Sequence, residues 1–107
     1  MDIWKDIKGY EGVYQASNFG FIKSFNKYKQ SIILKPFRDK KGYLRVDLKN
    51  GIRKNCLVHR LIAETFINNT ENKPQINHIN RIKNDNRIEN LEWCNNSENQ
   101  LHRYKTN

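Results

Sequence analysis

Residues 43–58 hold the pattern that most restricts what this chain can become. Tyr43-Leu44-Arg45-Val46-Asp47-Leu48-Lys49 alternates without a break: Leu44, Val46 and Leu48 share one side, and Tyr43, Arg45, Asp47 and Lys49 share the other. A period of two belongs to a strand with one buried face. Asn50-Gly51 follows at once, a pair that tolerates the positive φ angles of a two-residue hairpin turn. Ile52 to Val58 then reads as the returning strand. At 107 residues the chain has room around this hairpin for one compact domain, or for two small modules sharing a core.

More strands are expected before the hairpin. Gly9-Tyr10-Glu11-Gly12 reads as a turn, Val13 to Ala16 as a short strand, and Ser17-Asn18-Phe19-Gly20 as a second turn. Phe21 to Lys27 and Ser31 to Phe37 read as strands, the latter ended or pushed to an edge by Pro36, which cannot donate to a ladder. The first half is therefore expected to be one antiparallel sheet with a polar, cationic face.

The pattern then changes. His59 to Ile67 reads as a helix with Leu61, Ile62 and Phe66 on its apolar stripe. Ile76 to Asn80 and Asn90 to Cys94 read as short strands, with a polar connection from Arg81 to Glu89 between them. Ser97 to Tyr104 reads as a final short helix. The fold class is α+β, with residues 1–54 as a basic β-rich module and residues 55–107 as a second module.

Charge is divided the same way. The net charge is +9, and residues 1–54 carry 13 Lys/Arg against 5 Asp/Glu, whereas residues 55–107 carry 7 against 6. A basic half beside a nearly neutral one suggests that one half grips a polyanion while the other does something else. Nucleic acid is the expected polyanion, since each phosphate neutralised releases a condensed counterion. Side chains placed to reach phosphate are Lys23, Lys27, Lys29, Arg45, Lys49 and Arg53. Tyr28 and Tyr43 lie among them and read as packing residues.

Other classes are excluded or disfavoured. No apolar run reaches the roughly 18 residues of a membrane helix, and Met1-Asp2-Ile3-Trp4-Lys5-Asp6 lacks the apolar core of an export signal. The expected location is cytoplasmic. Cys56 and Cys94 stand far apart with no CxxC partner, too few for a structural zinc ribbon, and read as reduced packing residues.

The strand, loop, strand, helix order of the second half allows His78, Asn90 and Asn99 to converge. Phosphodiester cleavage needs these residue types. Imidazole is the side chain best matched to deprotonating water near neutral pH. A neighbouring carbonyl or amide holds it in one tautomer. Asn side-chain oxygens suit Mg²⁺, and a divalent cation stabilises the leaving oxygen. No one of these residues is persuasive alone, because a lone His is usually packed and a lone Asn usually caps a turn.

Residues 76–99, INHINRIKNDNRIENLEWCNNSEN, resemble the HNH motif of phage and intron-encoded homing endonucleases. The run from Val58 to Ile67, VHRLIAETFI, resembles the helix that leads into that motif. Residues 4–25, WKDIKGYEGVYQASNFGFIKSF, resemble the nuclease-associated modular domain of type four, which commonly precedes such nucleases. The resemblance implies a ββα-metal fold and a metal-dependent DNA endonuclease or nickase acting on double-stranded DNA, leaving 5′-phosphate and 3′-hydroxyl ends. It implies His78 as general base, Asn90 as the brace of the loop between the strands, and Asn77 and Asn99 as ligands of Mg²⁺ or Mn²⁺. Arg60 and Arg103 are expected to contact DNA, His102 is a weaker ligand candidate, and His59 is expected to cap or pack.

The departures from the motif carry expectations too. The first ligand is Asn77, not Asp, which leaves no protein carboxylate on the metal and makes metal occupancy depend on DNA. The usual HIDG reads His78-Ile79-Asn80-Arg81, without the Asp or the turn glycine. The homing members often continue into further DNA-binding helices, so the chain is either a minimal nuclease, expected to have short or relaxed specificity, or a part of a longer protein that carries such helices. A homodimer would recover specificity, and the sequence leaves that open. The alternative from another class is a catalytically silent DNA-binding module that keeps the fold. An RNA-binding β-protein is weaker, as no RNP-like aromatic motif is present.

Overall fold

The computed structural model describes residues 1–95, and its class is α+β. Strands β1 (Trp4–Asp6), β2 (Tyr14–Ser17), β3 (Ile22–Phe25) and β4 (Ser31–Ile33) form an antiparallel meander in sequence order. Strands β5 (Phe37–Arg38), β6 (Leu44–Asn50) and β7 (Ile52–Leu57) form a separate three-stranded sheet. Helix α1 (Val58–Phe66) follows directly. Strands β8 (Gln75–His78) and β9 (Leu91–Cys94) pair with each other, and a 3-10 turn at Ile88–Asn90 leads into β9.

One expectation is corrected here. The first half is two sheets, not one, and the stretch expected to run unbroken from Ser31 to Phe37 is divided between them. Leu34, Lys35 and Pro36 separate the two pieces, and Pro36 has no N–H with which to continue a ladder. The cations expected on one face are therefore split: Lys23 sits on β3, Lys27 and Lys29 in the β3–β4 turn, and Arg45, Lys49 and Arg53 on the β6–β7 hairpin.

The hairpin itself keeps its alternation but not its expected turn. Val46 and Leu48 are buried while Asp47 and Lys49 are exposed. The register pairs Lys49 with Arg53 and Leu48 with Lys54, so the turn centres on Gly51 instead of being a two-residue Asn50-Gly51 turn. Gly51 has φ +83, and Asn50 is not among the residues with positive φ. The shift of one residue decides which side chains share a face, because a strand has a period of two. It places Arg53 beside Lys49 on the outer face.

All three sheets and the helix feed one core. Ile7, Tyr14, Ala16 and Ile22 from the first sheet meet Val46 and Leu48 from the second, Val58, Leu61 and Ile62 from α1, and Leu91 from β9. Nine residues are too few for an isolated helix to be stable in water, so α1 depends on burying this face. It packs against β2, β6, β7, β8 and β9. Tyr14 also ties the sheets together, accepting the Lys49 N–H at its hydroxyl at 3.0 Å. Neither cysteine is in a disulfide, and Cys94 is buried. No helix among the described residues is long and apolar enough to cross a membrane.

Candidate active site

Strand β8 ends on His78, and the chain then turns sharply through a loop that returns to β9. The turn closes with Arg81 N–H donating to His78 O at 2.8 Å, and Arg81 has φ +65. Arginine thus takes the left-handed conformation for which glycine is the usual residue. The loop has little apolar content and is held by polar groups instead. Asn90, 5% exposed, is its hub: its Oδ1 accepts Asn80 N–H at 2.9 Å and its Nδ2 donates to Asp85 O at 2.8 Å. The Asn90 backbone oxygen takes Ile79 N–H at 2.8 Å. Asp85 adds a second tie, accepting Asn80 Nδ2 at 2.7 Å and Arg87 Nε and Nη2 at 2.8 and 2.7 Å. The paired Arg87 guanidinium is the main reason the Asp85 carboxyl lies far below the usual carboxylate range.

His78 is 6% exposed, and its Nε2 lies 2.8 Å from Asn86 Oδ1. A carboxamide oxygen can only accept, so Nε2 carries the proton of the neutral ring and Nδ1 keeps the basic lone pair. Burial pulls the His78 pKa below the ordinary 6.5, against the Asn86 hydrogen bond and the Asp85 charge, which push it up. The imidazole is therefore neutral near pH 7. His59 stands edge-on to it with ring centroids 4.9 Å apart, and Tyr43 lies 5.9 Å away. His59 packs inside α1's buried face as expected. Burial lowers its pKa to about 4, helped by His78, Arg60 and Arg45.

Asn86 is the residue that sequence reasoning missed. It is 3% exposed although it lies in the polar connection from Arg81 to Glu89. A buried asparagine within a polar run has no periodic signature. Asn86 Nδ2 and His59 Nδ1 are buried polar atoms without a hydrogen-bond partner among the described residues, a costly condition that tends to concentrate at functional sites.

Asn77 precedes His78 on β8 and is 8% exposed. It faces Glu92 across the β8–β9 pair, and its Nδ2 donates to Glu92 Oε1 at 2.9 Å. Only the NH₂ end of the amide can donate to a carboxylate, so the Asn77 carbonyl oxygen is turned away from Glu92. A carboxylate therefore stands beside a position that itself lacks one. No group of three or more His, Cys, Asp or Glu side chains that could hold a metal exists among the described residues. The oxygen donor of Asn77, with negative charge adjacent, fits a hard divalent cation that takes further ligands elsewhere. Asn99, His102 and Arg103 lie outside the described residues, as does the expected Ser97–Tyr104 helix.

The expected DNA contacts differ in what else they do. Arg45 is held, its Nε 2.8 Å from Asp39 Oδ2 and its Nη1 donating to Asn55 Oδ1 at 2.7 Å. Arg60 donates to Pro74 O at 3.2 Å and lies over the Trp93 ring. Lys23 lies over Trp4, 4.3 Å from the ring centroid. Lys27 lies over Tyr28, and Lys29 occupies a turn position at φ 62. Lys49 and Arg53 are exposed and directly opposite each other.

Comparison with known proteins agrees with this layout. Residues 2–49 match the NUMOD4 motif, and residues 56–101 match the HNH endonuclease family. Two uncharacterized HNH endonucleases of Acanthamoeba polyphaga mimivirus are similar: one is 45% identical over 87 residues, covering 80% of this chain and 25% of the viral protein. The other is 44% identical over 112 residues, covering 99% and 27%. The DNA endonuclease I-HmuI of Bacillus phage SP01 is 42% identical over 104 residues, covering 94% of this chain and 58% of the phage protein. A solved structure of the HNH homing endonuclease I-HmuI, described as showing DNA binding and cleavage by that enzyme, matches with a TM-score of 0.79 and 40% identity. That match covers 98% of this chain and 61% of the other. The chain thus spans about a quarter of the viral proteins and less than two thirds of the phage enzyme. The order of the two matched regions and the shared fold agree: the chain carries a NUMOD4 motif ahead of an HNH endonuclease domain and is a homologue of the phage enzyme I-HmuI.

Proposed function

We propose that this chain hydrolyses phosphodiester bonds of double-stranded DNA, as an endonuclease or nickase, with His78 as the general base. The observation that carries the reading is the placement of His78: buried, and fixed through Nε2 by the Asn86 oxygen at 2.8 Å. That leaves Nδ1 to take a proton from water, and a base with a lowered pKa is ready to do so at neutral pH. Asn90 acts by holding the loop that follows His78, through its bonds to Asn80 and Asp85. Asn77 and Asn99 would hold Mg²⁺ or Mn²⁺, and such a cation, when bound, stabilises charge on the leaving 3′-oxygen. Two neutral ligands bind weakly, so DNA phosphate is expected to complete the site.

The outer face of the β6–β7 hairpin supports DNA as the substrate. Lys49 and Arg53 stand directly opposite each other there, and like charges opposite one another are destabilising. A phosphate between them removes that repulsion. Lys23, Lys27, Lys29, Arg45, Arg60 and Arg103 complete the set of proposed contacts, with Arg45 more constrained by Asp39 than the others.

The test is nicking of supercoiled plasmid with Mg²⁺ or Mn²⁺, beside His78→Ala and an EDTA control. Nicking by the wild type alone is expected. Equal behaviour of wild type and variant, with DNA binding intact, would sink the enzyme and leave a silent DNA-binding module.

A further inference from the structure

The turn between β2 and β3 is pressed against the loop that carries Asn86. Gly20 has φ +93, and a Cβ built on it would lie 2.8 Å from the Asn86 carbonyl carbon and oxygen and 2.9 Å from the Asn86 Cβ. Real Cβ atoms do not approach backbone so closely, so only glycine fits without displacing Asn86. Beside this contact, Ile88 N–H donates to Asn18 O at 3.0 Å. The two contacts fall on either side of Arg87, so the turn holds the loop at two points.

The turn is firm before it meets the loop. Ser17 is fully buried and its Oγ accepts the N–H groups of Phe19 and Phe21 at 3.3 and 3.0 Å. Gly20 N–H donates to Ser17 O at 3.1 Å. Asn18 is anchored to the N-terminus, accepting Ile3 N–H in its side chain at 2.7 Å. The turn therefore satisfies its own polar groups, and its contacts with the loop act on the loop.

We propose that this turn of the NUMOD4 motif is a positioning element for the catalytic histidine. Gly20 sets the Asn86 backbone, Asn86 Oδ1 sets His78 Nε2, and the orientation of the base follows. The proposal rests on His78 being the base, and it gives the N-terminal motif a task besides holding DNA. Displacement matters because a reacting group moved by about 1 Å can lose about a hundredfold in rate.

The test compares Gly20→Ala with Gly9→Ala in the full chain. Gly9 has φ +88 and open space where a Cβ would go, so both variants meet the same backbone strain and only one pushes on Asn86. Single-turnover nicking at saturating protein and anisotropy with duplex DNA separate rate from binding. Gly20→Ala is expected to nick roughly 10- to 100-fold more slowly with DNA Kd within about twofold, while Gly9→Ala stays near wild type. In an Asn86→Ala background, Gly20→Ala is expected to slow nicking no further, because the link to His78 is already cut. Should Gly20→Ala fail to fold, Ser17→Ala slackens the same turn without adding an atom, and is expected to lower the rate several-fold at unchanged Kd. Wild-type nicking rates in the turn variants, with His78→Ala dead, would overturn the positioning role and leave the base assignment standing. Equal nicking by wild type and His78→Ala would overturn both.

Discussion

Asn77 and Glu92 face each other across β8 and β9, with the asparagine amide donating to the carboxylate at 2.9 Å. The pairing answers the neutral residue at position 77: the charge that the motif usually carries there stands one strand away. Glu92 also chooses which end of the Asn77 amide is presented, and residues that orient a metal ligand commonly change affinity by about 10- to 100-fold when replaced. Glu92→Gln keeps an acceptor for Asn77 but removes the charge. It is expected to weaken Mn²⁺ binding to the protein–DNA complex about tenfold, measured by titration calorimetry or by the Mn²⁺ spin signal. DNA binding in EDTA should not fall. An unchanged Mn²⁺ affinity would show that Glu92 only pairs strands.

His59 makes stability depend on pH in a specific direction. Its folded pKa is about 4 against an ordinary 6.5. In the unfolded chain it takes a proton as pH drops through 6.5, and in the folded chain it does not until about pH 4. Its full contribution is therefore present above pH 6.5 and is lost as pH falls towards 4. At about 1.4 kcal/mol per unit, unfolding free energy should drop on the order of 2 kcal/mol between pH 6.5 and 5, a window in which few carboxylates titrate. Urea denaturation across that range checks it. His59→Gln should show a shallower slope, and an equal slope would mean that His59 protonates freely in the folded protein.

Asn90 is expected to matter for stability before it matters for chemistry. Asn90→Ala removes the acceptor of Asn80 N–H and the donor to Asp85 O, both in a part-buried setting. At roughly 1 kcal/mol per hydrogen bond, more where a partner is left buried, the loss should be about 2–3 kcal/mol in urea unfolding. A loss below about 0.5 kcal/mol would show that the loop after His78 holds its shape by other means.

The hairpin face makes a prediction about salt. Replacing Lys49 and Arg53 by Gln should weaken duplex binding and flatten the dependence of log K on log salt by roughly 1 for each phosphate no longer neutralised. The same pair of changes should slightly stabilise the free protein, because two like charges no longer oppose each other. An unchanged salt slope would move the gripping surface elsewhere, to Lys27 and Lys29 in the β3–β4 turn or to Lys23.

Much of the fold was legible because it is written in periodicity. Val46 and Leu48 alternate with exposed neighbours, and Leu61 and Ile62 sit on a helical stripe, so β6 and α1 lie close to where the pattern puts them. Strand β1 was not foreseen. Trp4-Lys5-Asp6 has no apolar alternation, and it is a strand because it pairs with Ala16 and its neighbours. The hairpin register escaped for a related reason. Asn50-Gly51 signals that the chain turns, but whether one or both residues take positive φ depends on how the strands twist together. Within the candidate site, His78 and Asn90 were singled out by their spacing and Asn77 by resemblance to the HNH motif, whereas nothing in the sequence pointed to Asn86 or Glu92. Asn86 is buried by the close approach of Gly20, and Glu92 meets Asn77 by strand register. Both are facts of tertiary contact, which no local pattern records.

The single core has a consequence for ancestry. Ile7, Tyr14, Ala16 and Ile22 belong to one matched region and Leu61, Ile62 and Leu91 to the other, yet they pack as one cluster. Recombination that exchanged only the front half of such a gene would bring together half-cores never selected to fit. The two halves are expected to travel as a pair, and a chimaera of two relatives should fold only where its junction respects the shared interior.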